Sequence, residues 1–232
     1  MCYHVATPEK VKLQQLADEQ QLRLYNTYEQ YFHVSAFERP FLPVRLNEAP
    51  GQIQPARWKL LPHWVDNETQ AAKYALTFNA EDSRLFETAS YKPYAASRHG
   101  LLYVEGFYEP HKVEGVRQSE NYFIYKPDRK IFTLGIIYAP WVNKETGEAY
   151  NSFSVVTVKA NPLLAEIHNE KKRMPLILPE GAAEDWLHTT TKAGTQSFFQ
   201  PYDGILKAHK TVRVTAARGR NTNLPSIQDP VD

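Results

Sequence analysis

The sequence predicts a strand-rich α+β protein, with a mixed, barrel-like β core and a few flanking helices, organised as one domain over residues 1–232. Three observations carry that expectation. Short β-branched and aromatic runs recur along the chain, few segments show helical spacing, and no repeat, linker or low-complexity tract interrupts 232 residues that are 42% hydrophobic and 12% aromatic.

Residues 2–6 read as a short strand entering the interior. Thr7 as N-cap and Pro8 at the first helical position then open a helix over residues 8–24, whose imperfect apolar face is Val11, Leu13, Leu16, Ala17 and Leu24. Strands follow over residues 31–35, 54–61, 101–108, 122–126, 131–138, 153–159, 175–178 and 212–216, each a run of β-branched or aromatic residues. Two shorter helices are expected, one over 162–168 behind Pro162 and one over 179–187, with Pro179 and Glu180 in its first turn. The unpatterned stretch 192–204 and the polar tail after Gly219 read as loops.

Composition narrows the function. A net charge of +1 does not call for a nucleic-acid partner, so any such partner would have to be held by a local basic groove. No apolar stretch approaches the roughly 18 residues needed to cross a bilayer, and Glu9 and Lys10 stand where a signal peptide would be apolar. A cytoplasmic protein with no membrane partner is expected, and a monomer. One cysteine excludes an internal disulfide and any CxxC zinc site. The histidines are scattered and no glycine-rich phosphate loop occurs, so neither a metal nor a cofactor is expected.

That single cysteine is Cys2, directly behind the initiator methionine. Methionine before a small side chain is readily removed, which would leave a free α-amine and a thiol on one residue. The amine has a reference pKa near 7.7–8.0, so about a tenth is neutral at pH 7, and the thiolate is a strong nucleophile. Both groups can attack one aldehyde carbon, the amine forming a Schiff base that the sulfur closes to a thiazolidine.

Further motifs accompany Cys2: Trp58-Lys59-Leu60-Leu61-Pro62-His63-Trp64, Asn79-Ala80-Glu81-Asp82-Ser83-Arg84-Leu85-Phe86-Glu87, Gly106-Phe107-Tyr108-Glu109, and Ile167-His168-Asn169 with Arg173-Met174-Pro175 close behind. In this order, with Phe41-Leu42-Pro43-Val44 and the Asn221-Thr222-Asn223 tail, the series resembles the SOS response-associated peptidase family of abasic-site processing proteins.

The resemblance implies a protein that binds single-stranded DNA containing abasic sites. It would form a reversible covalent thiazolidine crosslink between mature Cys2 and the open-chain sugar aldehyde, and the family's peptidase activity implies self-removal of Met1. The catalytic set implied is Cys2, Asn79, Glu109 and His168. Glu109 would carry a proton to and from the Schiff-base nitrogen or the sugar hydroxyl, His168 would open the ring for reversal, and Asn79 would orient Cys2. DNA contacts are implied at Trp64 by stacking and at Arg84 and Arg173 by phosphate pairing.

The chain departs from the family's pattern in three places. Glu81 stands where an arginine or lysine is usual, Lys59 where Trp58 is usually followed by glycine, and Pro110 where a tryptophan usually follows Glu109. The carboxylate of Glu81 would repel DNA locally. Either Arg84 then takes over from a new direction, or the affinity depends on Arg173 and the basic stretch Lys207, Lys210, Arg213, Arg218 and Arg220, or the substrate differs.

Each residue also has a plainer reading. Glu109 could be a solvated charge at a strand end, His168 a structural hydrogen bonder, Asn79 a buried bridge, Trp64 core, and Lys171, Lys172 and Arg173 a solvated charge run. Two other classes stay open: an N-terminal-nucleophile amidohydrolase that uses Cys2 with its own amine as base, and a noncatalytic binding module in which Cys2 is incidental.

Overall fold

The computed structural model describes residues 2–74, 76–214 and 221–231. Its centre is a five-stranded barrel formed by β4 (Phe41–Leu46), β5 (Ala49–Trp58), β7 (His99–Val104), β10 (Phe132–Val142) and β11 (Ala149–Lys159). Neighbours pair antiparallel in the order β11-β10-β7-β4-β5. The ring closes where β5 meets β11 in parallel, Arg57 opposite Ser152 and Trp58 opposite Phe153. The mixed, barrel-like β core expected of the sequence is therefore present.

Strands β10 and β11 are buried on both faces for most of their length, which explains why they read as nearly continuous apolar runs rather than alternating ones. Trp58 and Phe153 stack inside, with ring planes 9° apart. The Trp58 indole N–H donates to the Phe78 carbonyl at 2.9 Å, which satisfies the one polar atom that its burial would otherwise strand.

A second sheet lies against the barrel, in the order β13 (Lys207–Thr211), β9 (Glu120–Tyr125), β8 (Gly106–His111), β1 (His4–Ala6) and β3 (Val34–Ser35). The run expected as one strand over 101–108 divides between the two sheets. β7 ends at Val104, and Glu105 turns the chain by donating its N–H to the Ala6 carbonyl at 2.9 Å. At Gly106 a Cβ would sit 2.4 Å from the Phe123 ring and 2.7 Å from the Ile124 carbonyl, both on the neighbouring strand β9, so only glycine fits there.

Helix α1 (Lys10–Glu19) is shorter at both ends than expected. Thr7 does not cap it; its Oγ1 accepts from the Tyr31 N–H at 2.8 Å. At the other end Gln21 adopts φ 56°, and Leu24 leaves the helix for β2 (Arg23–Leu24), which pairs with β5. Strand β4 was hidden by Pro43, a residue that argues against an interior strand; here Pro43 faces Pro55 on β5.

Short elements account for the other differences. α2 (Glu68–Lys73), capped by the Asn67 side chain, and β6 (Asn79–Glu81), paired to β11, have no sequence period to reveal them. α3 (Pro162–Ile167) falls where expected and leads through a tight turn into β12 (Arg173–Pro175). α4 (Ala182–His188) starts behind Gly181, not Pro179, and buries Trp186 and Leu187. The stretch 192–204 contains α5 (Lys192–Ser197), because Thr191 accepts the Gly194 N–H and so caps a helix. Among the described residues the last strand is the polar edge β13, and Thr215 and Ala216 of the strand expected over 212–216 lie outside them, as do Met1, Arg218 and Arg220. No described helix is long and apolar enough to cross a membrane.

Candidate active site

Strand β1 carries the N-terminal residues into the middle of the second sheet, with β8 on one side and β3 on the other. His4 faces Tyr108 on β8, and one further step of that antiparallel register sets Tyr3 beside Glu109. Cys2 and Glu109 are both fully buried. The Cys2 thiol is 3.8 Å from the His4 carbonyl, toward which its S–H points.

Burial pushes the thiol well above its ordinary pKa, and the Glu109 carboxylate raises it further. Burial likewise raises the Glu109 carboxyl. Neither group is easily ionised while the other is charged, so this is a place where a proton can be held and passed rather than a fixed ion pair. The reading of Glu109 as a solvated surface charge does not survive.

His168 caps the C-terminus of α3 and is 5% exposed. Its Nδ1 lies 3.0 Å from the Arg173 carbonyl and 3.9 Å from Glu109 Oε2. A carbonyl can only accept, so Nδ1 carries a hydrogen. The turn after α3 fixes this pose. Lys172 takes φ 50° and returns its N–H to the His168 carbonyl at 2.8 Å, so the Arg173 carbonyl points at the imidazole.

Asn79 stands at the start of β6, opposite Val155, with its backbone carbonyl accepting from the Tyr91 hydroxyl at 2.9 Å. Both atoms of its carboxamide are buried, and among the described residues neither has a hydrogen-bond partner. Such a group costs about 1–3 kcal/mol unless something fills its valences. The edge-to-face contact of Tyr3 with Phe78, at 6.2 Å, brings together the immediate neighbours of Cys2 and Asn79.

Over Glu109 and His168 opens a cavity of about 370 Å³, lined also by Tyr3, His4, Phe37 and Asn121. Lys171 and Arg213 are its cationic lining residues. Tyr3 and His4 could have been suspected from their place beside Cys2 in a strand. Phe37 and Asn121 carry no sequence signal, because the topology brings them here from β9 and from the turn after β3.

The residues expected to meet DNA are distributed differently. Arg173 is turned toward carboxylates, with Nη2 2.8 Å from Asp82 and Nη1 3.6 Å from Glu81. Nη2 also donates to the Thr157 carbonyl. Arg84 is exposed in the turn Asp82–Arg84. Trp64 is 38% exposed, with its indole N–H donating to the Tyr74 hydroxyl at 2.7 Å and its ring edge-on to His63. Neither Arg84 nor Trp64 lines the cavity over Glu109. Among the described residues no cluster of three or more His, Cys, Asp and Glu side chains could hold a metal ion.

A chain from Pongo abelii described as abasic site processing protein HMCES is 27% identical over 212 residues, covering 78% of this chain and 57% of its own length. Its Mus musculus counterpart is 28% identical over 208 residues, with the same coverage. The chain thus spans somewhat over half the length of these curated relatives. A crystal structure of a Bacteroides thetaiotaomicron protein superposes with a TM-score of 0.85 at 26% identity, covering 99% of this chain and 100% of that one. A Bordetella bronchiseptica protein shares the fold at 21% identity, with a TM-score of 0.74 over 90% of this chain and 99% of its own. The family model described as SOS response associated peptidase (SRAP) matches residues 1–217, nearly the whole chain, and on that match the protein belongs to the SRAP family.

Proposed function

We propose that this protein processes abasic sites in single-stranded DNA by trapping the open-chain sugar aldehyde on Cys2. The observation that carries the reading is a buried Cys2 whose thiol is influenced by Glu109, beside a buried Glu109 with a raised carboxyl pKa and His168 at 3.9 Å from it, the latter two lining one open cavity. The names of the relatives, abasic site processing proteins, support the substrate.

Loss of Met1 exposes the Cys2 amine. The neutral amine adds to C1′ of the aldehyde to give a carbinolamine, with its proton passing to the carbonyl oxygen. Loss of water then leaves the Schiff base, and the departing hydroxyl takes its proton from Glu109. The sulfur attacks the carbon of this protonated Schiff base as its S–H proton passes to the Glu109 carboxylate, which restores the carboxyl, and the thiazolidine closes. One C–N and one C–S bond form, one C=O bond is lost, and one water leaves. His168 serves the reverse direction, in which the C–S bond breaks and water re-enters. Asn79 offers its otherwise unpartnered carboxamide to the Cys2 amine or the sugar hydroxyl. Lys171 and Arg213 at the cavity wall are suited to the flanking phosphates, with Trp64, Arg84 and Arg173 as outer contacts.

The test is a denaturing gel with intact-mass analysis. Protein whose mass shows Met1 removed is mixed with an oligonucleotide bearing one abasic site, alongside Cys2→Ala and undamaged DNA. A heat-stable adduct confined to the wild type on damaged DNA is expected. Its absence would sink the reading and bring forward amide hydrolysis at Cys2, scored as ammonia release.

A further inference from the structure

Beside the cavity over Glu109 lies a second one of about 570 Å³, within the range of about 300–1,000 Å³ typical of small-ligand sites. His4 and Phe37 line both. The outer wall is Asn221, Thr222 and Asn223, which lie beyond residue 217, the last that the family model matches.

The walls are bonded to one another. His33 joins them, with Nε2 3.0 Å from His4 Nδ1 and Nδ1 2.7 Å from Thr222 Oγ1. Asn223 Oδ1 accepts from the Phe32 N–H at 2.8 Å, and Gln228 Nε2 donates to the Phe32 carbonyl at 3.1 Å. The C-terminal segment is thus stitched to the chain just ahead of β3. Burial pushes His4 down to about 4 and His33 down to about 3, so both rings are neutral at physiological pH.

The chemistry of the lining selects among ligands. No lysine or arginine is among the described residues that face this cavity, and its one carboxylate, Glu38, would repel a phosphate. The other described lining residues offer the rings of Tyr31 and Phe37 for stacking, and the second ring nitrogen of His4 and the amide nitrogens of Asn221 and Asn223 for hydrogen bonds. Phe37 is 56% exposed although it rests on Tyr3 at 5.3 Å and Phe78 at 5.2 Å. An aromatic face left open at the boundary of two cavities is what a flat, uncharged, hydrogen-bonding ring would stack on.

We propose that this second cavity is a nucleobase subsite, taking the base of the nucleotide next to the abasic sugar held at Cys2. The assignment rests on the function proposed above. The lesion has no base, so the strand offers no ring at the reactive cavity; the ring one nucleotide away is the nearest handle for orientation. Lys171 and Arg213, which stand beside the carboxylates of Glu109, Glu120 and Glu170, are the cations the cavity over Glu109 offers to phosphates, whereas the second cavity offers aromatic faces to a base.

The experiment uses full-length Cys2→Ala protein, which cannot close the crosslink, and labelled single strands carrying a central tetrahydrofuran. The nucleotide on the 5′ or the 3′ side is replaced in turn by a second tetrahydrofuran, and affinity is read by fluorescence anisotropy. Removing the base on one side, and not the other, is expected to weaken binding about 5- to 30-fold, as for a stacked base. Tyr31→Leu and Asn221→Ala, made in the same background, should shrink that difference to under about 3-fold. Equal affinity for all strands, or a base dependence untouched by both substitutions, would overturn the subsite. Wild-type protein at saturating abasic DNA is the separate arm. Adduct without base dependence refutes the subsite alone, whereas no adduct refutes the chemistry at Cys2 and with it the neighbour relation.

Discussion

His168 Nδ1 lies 3.9 Å from Glu109 Oε2 and 3.0 Å from the carbonyl of Arg173, so the same nitrogen that is tied to the backbone also faces the buried carboxyl. The imidazole is oriented by the turn after α3, and its tautomer is set by a group that cannot titrate. Removing either residue should therefore affect proton handling without moving the other.

Glu109→Gln keeps the shape and removes the ionisable proton. Adduct formation should slow about 10²- to 10⁴-fold, the usual contribution of a positioned acid–base group, as measured by single-turnover quench.

The same variant tests the raised pKa through stability. A carboxyl that binds its proton more tightly in the folded state contributes most below its ordinary value of about 4.3. That contribution is lost as pH rises from there through the raised folded value. Thermal unfolding from pH 4 to 8 should show wild type losing stability relative to Glu109→Gln over that interval; parallel curves would contradict it.

Cys2→Ser separates the two bonds of the trap. The amine remains, so borohydride should still capture a Schiff base with abasic DNA, but a heat-stable adduct without reductant should be absent. A stable adduct from Cys2→Ser would show that sulfur is not required.

Glu81 and Asp82 neutralise Arg173. Glu81→Arg places a cation beside it and loosens the pair, so the strand gains at least one phosphate contact. Affinity for single-stranded DNA should rise, and the slope of log K against log salt should steepen by about 0.7 per added contact. An unchanged slope would place the phosphates elsewhere.

Lys59 is a buried lysine at φ 144°, a conformation that L side chains rarely adopt, and its Nζ donates to the Ala71 carbonyl at 2.8 Å. Burial, with Arg39 nearby, lowers its pKa. Lys59→Gly removes both the strain and a desolvated charge at the cost of that hydrogen bond, and a net gain of about 1 kcal/mol is expected in denaturant melts.

The barrel was legible where burial on both faces left unbroken apolar runs, as in β10 and β11, and the fold class followed from them. It was illegible where a local rule lost to tertiary pairing. Pro43 sits in a strand because the missing N–H is tolerated opposite Pro55, and Leu24 left its helical period to pair with Ile53. In the site, chemistry singled out Cys2, and the motifs singled out Glu109 and His168, which the fold brings under one cavity with Cys2 buried alongside. Arg173 carried the right charge, but no sequence pattern showed that Asp82, from a different strand end, would claim its guanidinium. Phe37 and Asn221 could not be found at all, since their meeting depends on a tail folding back across nearly the whole chain.

Strand β1 is only three residues long, yet it is hydrogen-bonded along both edges, to β3 and to β8. Cys2, two residues ahead of it, has little freedom to sweep out a volume in search of a partner. Under the function proposed above, an aldehyde would have to be carried inward by a strand that bends, and the cost of ordering would fall on the nucleic acid rather than on the protein. A flexible single strand would meet that demand far more readily than a stiff duplex, so the proposed trap would favour it through the mechanics of the backbone before any side chain makes contact.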